Sequence, residues 1–462
     1  MTTTSGLDAS SFRDPNGFVF RRQGRLYRQI NQQYREEYDL LINSGLYHKL
    51  NAENLLISHE EVDVKLAMAP DPYKIIQPRL VPFISYPYEW TFSQLKDAAL
   101  LTIQIQKIAM QHGISLKDAS AYNIQFVQGS PLLIDTLSFE KYKEGRPWIA
   151  YRQFCQHFLA PLALMARNDI RLNQLSRIFL DGIPLDLASR LLPVATYSRF
   201  SLLSHIHLHA RSQKHFQNKA QRASERTLNR FSFMALIDSL ESAVTSLNWR
   251  PRGTEWVDYY DHSNYSPEAM EFKCKCIDDY LLEIDPCQVW DIGANTGLYS
   301  RLAASRHIPV ISLDVDAAAV ELNYRQSRRE ANQFILPLVQ DITNPSPGIG
   351  WDNIERMSLL ERGPTDAVMA LALVHHLAIG NNLSFARIAQ LFSRLCRALI
   401  IEFIPKEDSQ VQRMLSTRED IFHDYHVRGF EEEFSRFFSI TRCEKITRST
   451  RRLYLLKNKT TF

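Results

Sequence analysis

The stretch Val289–Ser300 reads V-W-D-I-G-A-N-T-G-L-Y-S, and its reading decides the fold of the C-terminal half. An apolar run ends in Asp291, Ile292 and Gly293. Small, turn-prone residues follow, with Gly293, Asn295 and Gly297 two apart. A helical pattern resumes at Leu298. The sequence therefore predicts strand, small-residue bend, helix. Glycine lacks a Cβ and tolerates positive φ, so such a bend lets a ligand approach the backbone closely. Free amides at the helix start are expected to meet a polar or anionic group.

Working outward, short apolar segments at 288–293, 309–315, 334–340, 366–375 and 398–404 are predicted as strands, with helices between them. Near-continuous apolar strands alternating with helices point to a parallel sheet buried on both faces. Segments 437–445 and 452–457, separated by Arg448-Ser449-Thr450, predict an antiparallel edge hairpin. Ser266–Glu283 predicts a helical lead-in. The expected fold is α/β, a Rossmann-like, seven-stranded, mostly parallel sheet over residues 255–462.

The dinucleotide fingerprint G-x-G-x-x-G needs a small residue where this chain has Leu298. The pattern here is acidic-x-G-x-N-x-G. It resembles motif I of class I S-adenosylmethionine-dependent methyltransferases, with Asn295 in place of the usual middle glycine. The resemblance covers roughly residues 255–460. It implies S-adenosylmethionine as cofactor, its methionine end cradled by Asp291, Gly293, Ala294, Asn295 and Gly297. Asp314 ends the second strand, 21 residues after Gly293. A carboxylate there can accept both ribose hydroxyls, and the resemblance implies that role, with Asp316 as a rival. It also implies Asp341, at the end of the third strand, beside the adenine amino group, and Leu373 among the lining residues. Tyr260 or Tyr265, ahead of the lead-in helix, is expected to cover the cofactor.

The fourth strand runs into His375 and His376, expected at the carboxyl edge of the sheet where open α/β folds bind ligands. A histidine there can act as a general base toward a hydroxyl or amine. Glu402, at the end of the fifth strand, is a third catalytic candidate. The family's N-P-P-[YF] amino-methylation motif is absent from the sequence. Methyl transfer needs chiefly in-line positioning, so the cofactor site is readable while the methyl acceptor is not. No metal site is expected: of six cysteines only Cys274 and Cys276 are close, with no second ligand pair.

Residues 1–205 mix short strands and helices and are expected to form an α+β accessory domain. Gly17–Gln29 predicts a hairpin turning at Gln23-Gly24, and Phe92–His112 a helix stopped by Gly113. Asp118, Asn123 five residues on, and Asp135 twelve beyond that resemble the catalytic loop and metal-binding acid of protein-kinase-like folds. A Gly-rich phosphate loop, the histidine before Asp118 and the Phe-Gly after Asp135 are missing, so the resemblance is to a degenerate version. It implies a phosphotransferase or nucleotide-binding module as the alternative function. Residues 206–254 are read as a basic linker and helical connection. Within it, 211–230 carries six Lys/Arg against Glu225 alone; a solvated strip is expected, and a nucleic-acid surface is the sharper alternative.

The chain has 462 residues, 45% hydrophobic and 23% charged, which excludes a disordered or collagen-like protein. Its 54 Lys+Arg nearly balance 51 Asp+Glu, so overall charge demands no nucleic-acid partner. No signal pattern or membrane-spanning run is read, and a cytoplasmic location is expected. On its carboxyl-terminal half the chain also resembles rhizobial host-specificity nodulation proteins carrying a methyltransferase domain, which suggests a bacterial source and no particular substrate.

Overall fold

Val289, Trp290, Asp291 and Ile292 are all buried, because their strand lies in the interior of a seven-stranded sheet, third in its order. The computed structural model describes residues 6–211, 228–251 and 265–460. Tyr260 and positions 212–227 of the basic strip lie outside the described residues. The chain divides into two units, Met1–Arg250 with Ile349–Arg356, and Pro251–Gly348 with Met357–Phe462.

The second unit's strands are β1 (Val289–Ile292), β2 (Val310–Asp314), β3 (Ile335–Val339), β4 (Thr365–Ala370), β5 (Cys396–Phe403), β6 (Phe438–Lys445) and β7 (Arg452–Asn458). Their order across the sheet is β3-β2-β1-β4-β5-β7-β6. The first five are parallel; β7 pairs antiparallel with both β5 and β6. Parallel strands covered on both faces need apolar residues on both, and Leu399, Ile400 and Ile401 in β5 are all fully buried. Strand order reverses between β1 and β4, which opens a crevice at their carboxyl ends.

The fourth strand is shorter than the expected 366–375. It stops at Ala370; Ala372 takes a left-handed φ of 49°, and a single π-helical turn covers His376–Gly380. Glu402 holds that break, accepting the Ala372 amide at 2.9 Å. The apolar run continues through it because the turn is buried too.

The first unit carries a five-stranded antiparallel sheet in the order Gly6–Leu7, Gly17–Arg22, Arg25–Asn31, Pro72–Pro78, His59–Val62. The helix Phe92–Gln111 is capped by Thr91, whose side chain accepts the Gln94 amide. Two small strand pairs follow, Ile114–Leu116 with Phe139–Lys141 and Ile124–Val127 with Ser130–Leu133. This unit continues to Arg250, beyond the expected boundary at 205. The helix Arg230–Ser246 holds to it because Asp238 and Glu241 each meet the Lys107 ammonium at 2.7 Å and Phe233 is buried edge-on to Tyr142. Ile349–Arg356 joins the same unit: Glu355 takes two hydrogen bonds from Arg13, at 2.9 and 3.0 Å, and Arg356 stacks 4.7 Å from the Tyr122 ring.

Candidate functional site

The bend after β1 is left-handed at every second residue, with φ of 78° at Gly293, 51° at Asn295 and 81° at Gly297. That explains the two-residue spacing in the sequence. Asparagine is among the few residues besides glycine that accept this region readily. Gly297 is further constrained, because a Cβ there would lie 2.5 Å from the Asn323 side chain. A Cβ on Gly293 would press on Leu373 at 3.3 Å.

A cavity of about 370 Å³ opens beside this bend. The ends of four strands supply its wall: Gly293 after β1, Asp314 on β2, Asp341 after β3, and Leu371, Ala372 and Leu373 after β4. Asn295, His376 and Tyr265 also line it. Of the candidate residues, Asp291, Ala294, Gly297, His375 and Glu402 do not.

Asp291 sits behind the wall. It is buried and takes a hydrogen bond from the Ser300 hydroxyl at 2.6 Å, tying β1 to the helix Leu298–Ser305. Burial pushes its carboxyl up to about 7. The bend's own amides are all engaged within the domain. Gly293 and Ala294 donate to Leu313, Asn295 to Asp314, Thr296 to the Asn295 side chain, and Gly297 to Ala294.

Asp314 is positioned by two amides, Asn295 at 2.7 Å on one oxygen and Asp316 at 2.9 Å on the other. A carboxylate has about four acceptor sites, so capacity remains for a ligand. Burial pushes this carboxyl up to about 6 despite the amides. Asp316 is taken up elsewhere, capping the helix Ala317–Arg329 by accepting the Ala318 amide at 2.8 Å. Asp341 turns back on Thr343, accepting its amide at 2.8 Å and its hydroxyl at 2.6 Å.

His376 faces the cavity, and burial holds its pKa down at about 4, so the ring is neutral near pH 7. His375 lies behind it, 1% exposed, with ring centroids 4.0 Å apart. Burial, then His376 and Arg451, hold His375 well below the ordinary range.

Glu402 is fully buried under the cavity rather than in its wall. It accepts from the Lys273 ammonium at 2.7 Å and from the Tyr265 hydroxyl. Burial opposes its charge, but Lys273 and Arg451 together hold its carboxyl below the ordinary value. Lys273 is a lining residue that the sequence reading missed. A signal was present: Ala269, Lys273, Cys276, Ile277, Tyr280 and Leu281 form the buried stripe of helix Pro267–Ile284, and one of them is charged.

In the first unit, Asp118, Asn123 and Asp135 do come together. Asp118 is hydrogen-bonded to Asn123, and Asp135 raises its pKa further after burial. Asp135 and Asn123 both meet the Ser138 hydroxyl, at 2.6 and 3.3 Å. Arg28 pairs with Asp135 at 2.5 Å and Asp14 at 2.9 Å. Among the described residues no group of three or more His, Cys, Asp or Glu could hold a metal, and no helix is long and apolar enough to cross a membrane.

Parallel strands, a reversal of order at β1 and an acid-rimmed cavity at that reversal define the second unit as an α/β domain of the open-sheet class. The whole chain is 33% identical over 457 residues to nodulation protein NoeA of Rhizobium meliloti (strain 1021), covering 97% of this chain and 95% of the relative. The chain belongs to the NoeA family of nodulation proteins. No protein-family model matches it. Similar solved structures include the bifunctional kinase-methyltransferase WbdD (16% identity, TM-score 0.31, 47% of this chain and 46% of that one). Magnesium protoporphyrin IX methyltransferase (ChlM) from Synechocystis PCC 6803 with bound SAH is another (16% identity, TM-score 0.32, 41% and 84%). A third is a SAM-dependent methyltransferase from Aquifex aeolicus (13% identity, TM-score 0.30, 44% and 98%).

Proposed function

We propose that the protein is an S-adenosylmethionine-dependent methyltransferase, with the cofactor held in the second unit's cavity by a Rossmann-like sheet. The observation that carries this reading is the convergence of Gly293, Asp314 and Asp341, from the ends of three adjacent strands, on one cavity. Its volume falls in the roughly 300–1,000 Å³ range of small-molecule sites. The residues fit the group: Asp314 retains acceptor capacity for a ribose, Asp341 stands at the next strand end, and Gly293 leaves open the surface a Cβ would fill.

Bound S-adenosylmethionine supplies a sulfonium-activated methyl group. The protein's part is orientation and proton handling. Asp314 accepts the ribose hydroxyls and so fixes the nucleoside. Leu371, Leu373 and Leu377 exclude water from the cavity. His376, neutral near pH 7, accepts the proton the acceptor loses. With a pKa near 4 it is a weak base. It suits a proton that departs once the acceptor oxygen or nitrogen has become cationic by gaining the methyl.

The relative's name ties it to nodulation, and that role is carried to this chain as part of the proposal, with the acceptor unidentified. The test is transfer of a tritiated methyl group to fractions of a source-cell extract. His376→Gln should slow transfer at least about tenfold while cofactor affinity stays within about twofold. Full activity in that variant would remove the base assignment, and absence of any labelled product would count against the enzyme.

A second reading, a kinase-like phosphotransferase or nucleotide-binding module in the first unit, is favoured by the gathering of Asp118, Asn123 and Asp135. Calorimetry with Mg²⁺-ATP tests it; saturable heat supports the module and its absence removes it.

A further inference from the structure

The five amides from Gly293 to Gly297 are all spent, on Leu313 and Asp314 of β2 or within the bend itself. A ligand carboxylate finds no donor among them. Among the described residues lining the cavity, Lys273 is the only Lys or Arg. Its side chain is 1% exposed, and its ammonium lies 4.9 Å from the Tyr265 ring centre and 4.5 Å from that of Tyr299. Glu402 takes one of its hydrogen bonds at 2.7 Å, and the Tyr265 hydroxyl lies 3.4 Å away. An ammonium has three donors, so one remains.

The charges around it balance without a ligand. Arg451 pairs with Asp408 at 2.7 Å and stands 3.8 Å from Glu402. Burying such groups is costly unless each is paired and bonded, and here they are. Glu402 also accepts the Ala372 amide at 2.9 Å, which fixes the break after β4. One carboxylate thus sets both the lysine's position and the backbone opposite it. Sheet order separates the two polar ends of the cavity. Asp314 and Asp341 follow β2 and β3, on one side of β1, while Glu402 ends β5 on the other.

We infer that Lys273, held by Glu402 and Tyr265, receives the α-carboxylate of the cofactor's amino-acid end and makes the site select a carboxylate-bearing nucleoside sulfonium. This rests on the methyltransferase reading above. Lys273 is then a specificity-determining residue. Glu402 becomes a positioning residue that acts through the lysine, which replaces its candidate role in catalysis. The acids hold the nucleoside, the ammonium holds the opposite end, and the ligand can enter in one orientation only.

The test compares S-adenosylmethionine with decarboxylated S-adenosylmethionine, which differs by that one carboxylate, using calorimetry on the full chain. A charge-assisted hydrogen bond predicts that the wild-type protein binds S-adenosylmethionine about 10- to 100-fold more tightly. The double variant Lys273→Met/Glu402→Gln removes both charges together, so neither is left buried alone. It should bind the two compounds within about threefold of each other. Equal affinities in the wild-type protein would overturn the inference, and so would undiminished discrimination in the double variant; in both cases the cofactor reading stands. If the wild-type protein binds neither compound, the cofactor reading itself fails. The wild-type comparison decides the matter even if the double variant does not fold.

Discussion

Replacing Asp314 with asparagine changes one charge and almost no volume, and the structure sets two opposing effects. Asparagine offers one acceptor oxygen where Asp314 uses two, so either the Asn295 or the Asp316 amide would face an NH₂ group. That mismatch costs about 1–3 kcal/mol. Against it, the rise of the carboxyl from an ordinary 3.8 to about 6 means that its ionised form carries about 3 kcal/mol of unfavourable free energy in the fold near pH 8. The two nearly cancel, so the Asp314→Asn melting temperature should stay within a few degrees of wild type. Ligand binding has no such offset. Exchanging charge-assisted acceptors for a neutral amide should cost about 2–3 kcal/mol, or about 30- to 150-fold in affinity. Titration calorimetry with S-adenosylhomocysteine reads the affinity, and a thermal melt of the same samples reads the fold. The wild-type affinity should also weaken as pH falls below about 6, where Asp314 takes up a proton, while the variant stays flat. A variant that melts normally and binds within threefold of wild type would refute the ribose assignment.

Other consequences follow from the same geometry. The buried Asp291 carboxyl, raised to about 7, binds a proton in the fold that the unfolded chain gives up near 3.8, so it favours folding at low pH and loses that contribution as pH rises through 7. Asp291→Asn should therefore gain stability relative to wild type between about pH 5 and about pH 8 in urea titrations, and a constant difference would contradict the burial argument. Gly297→Ala meets both a φ of 81° and an Asn323 side chain 2.5 Å away, and should lose about 2 kcal/mol or more. Gly6→Ala, with nothing within 4 Å, is the control and should stay within about 0.5 kcal/mol. Asp135→Ala leaves the buried Arg28 with Asp14 alone and should cost about 3 kcal/mol in denaturant unfolding. Its affinity for S-adenosylhomocysteine should not change, because Asp135 belongs to the first unit; a large loss would tie that cluster to the cavity.

What the sequence revealed was local. A left-handed bend requires glycine or asparagine, so the spacing of Gly293, Asn295 and Gly297 was visible in the letters. Acids closing apolar strands were visible for the same reason, and Asp314 and Asp341 do reach the cavity. Long-range pairing was hidden. Lys273 and Glu402 are 129 residues apart, and each interrupts an apolar run, but nothing in either run says that they meet. The destination of the bend's amides was equally invisible, since it depends on register against β2. Ala372 gave no sign of a left-handed turn, because an outside carboxylate holds it there. In the first unit, the Gln23-Gly24 turn and the stop at Gly113 could be read from residue type, and both glycines have positive φ. The return of Ile349–Arg356 to that unit could not, since it depends on an ion pair with Arg13, 342 residues away in the chain.

The central claim is that the second unit's cavity binds S-adenosylmethionine. Equilibrium dialysis of the full chain against the tritiated compound measures this without any knowledge of the acceptor. One equivalent should be retained per chain, displaced by S-adenosylhomocysteine and left in place by Mg²⁺-ATP. No saturable retention up to about millimolar ligand, or displacement by ATP alone, would contradict the account.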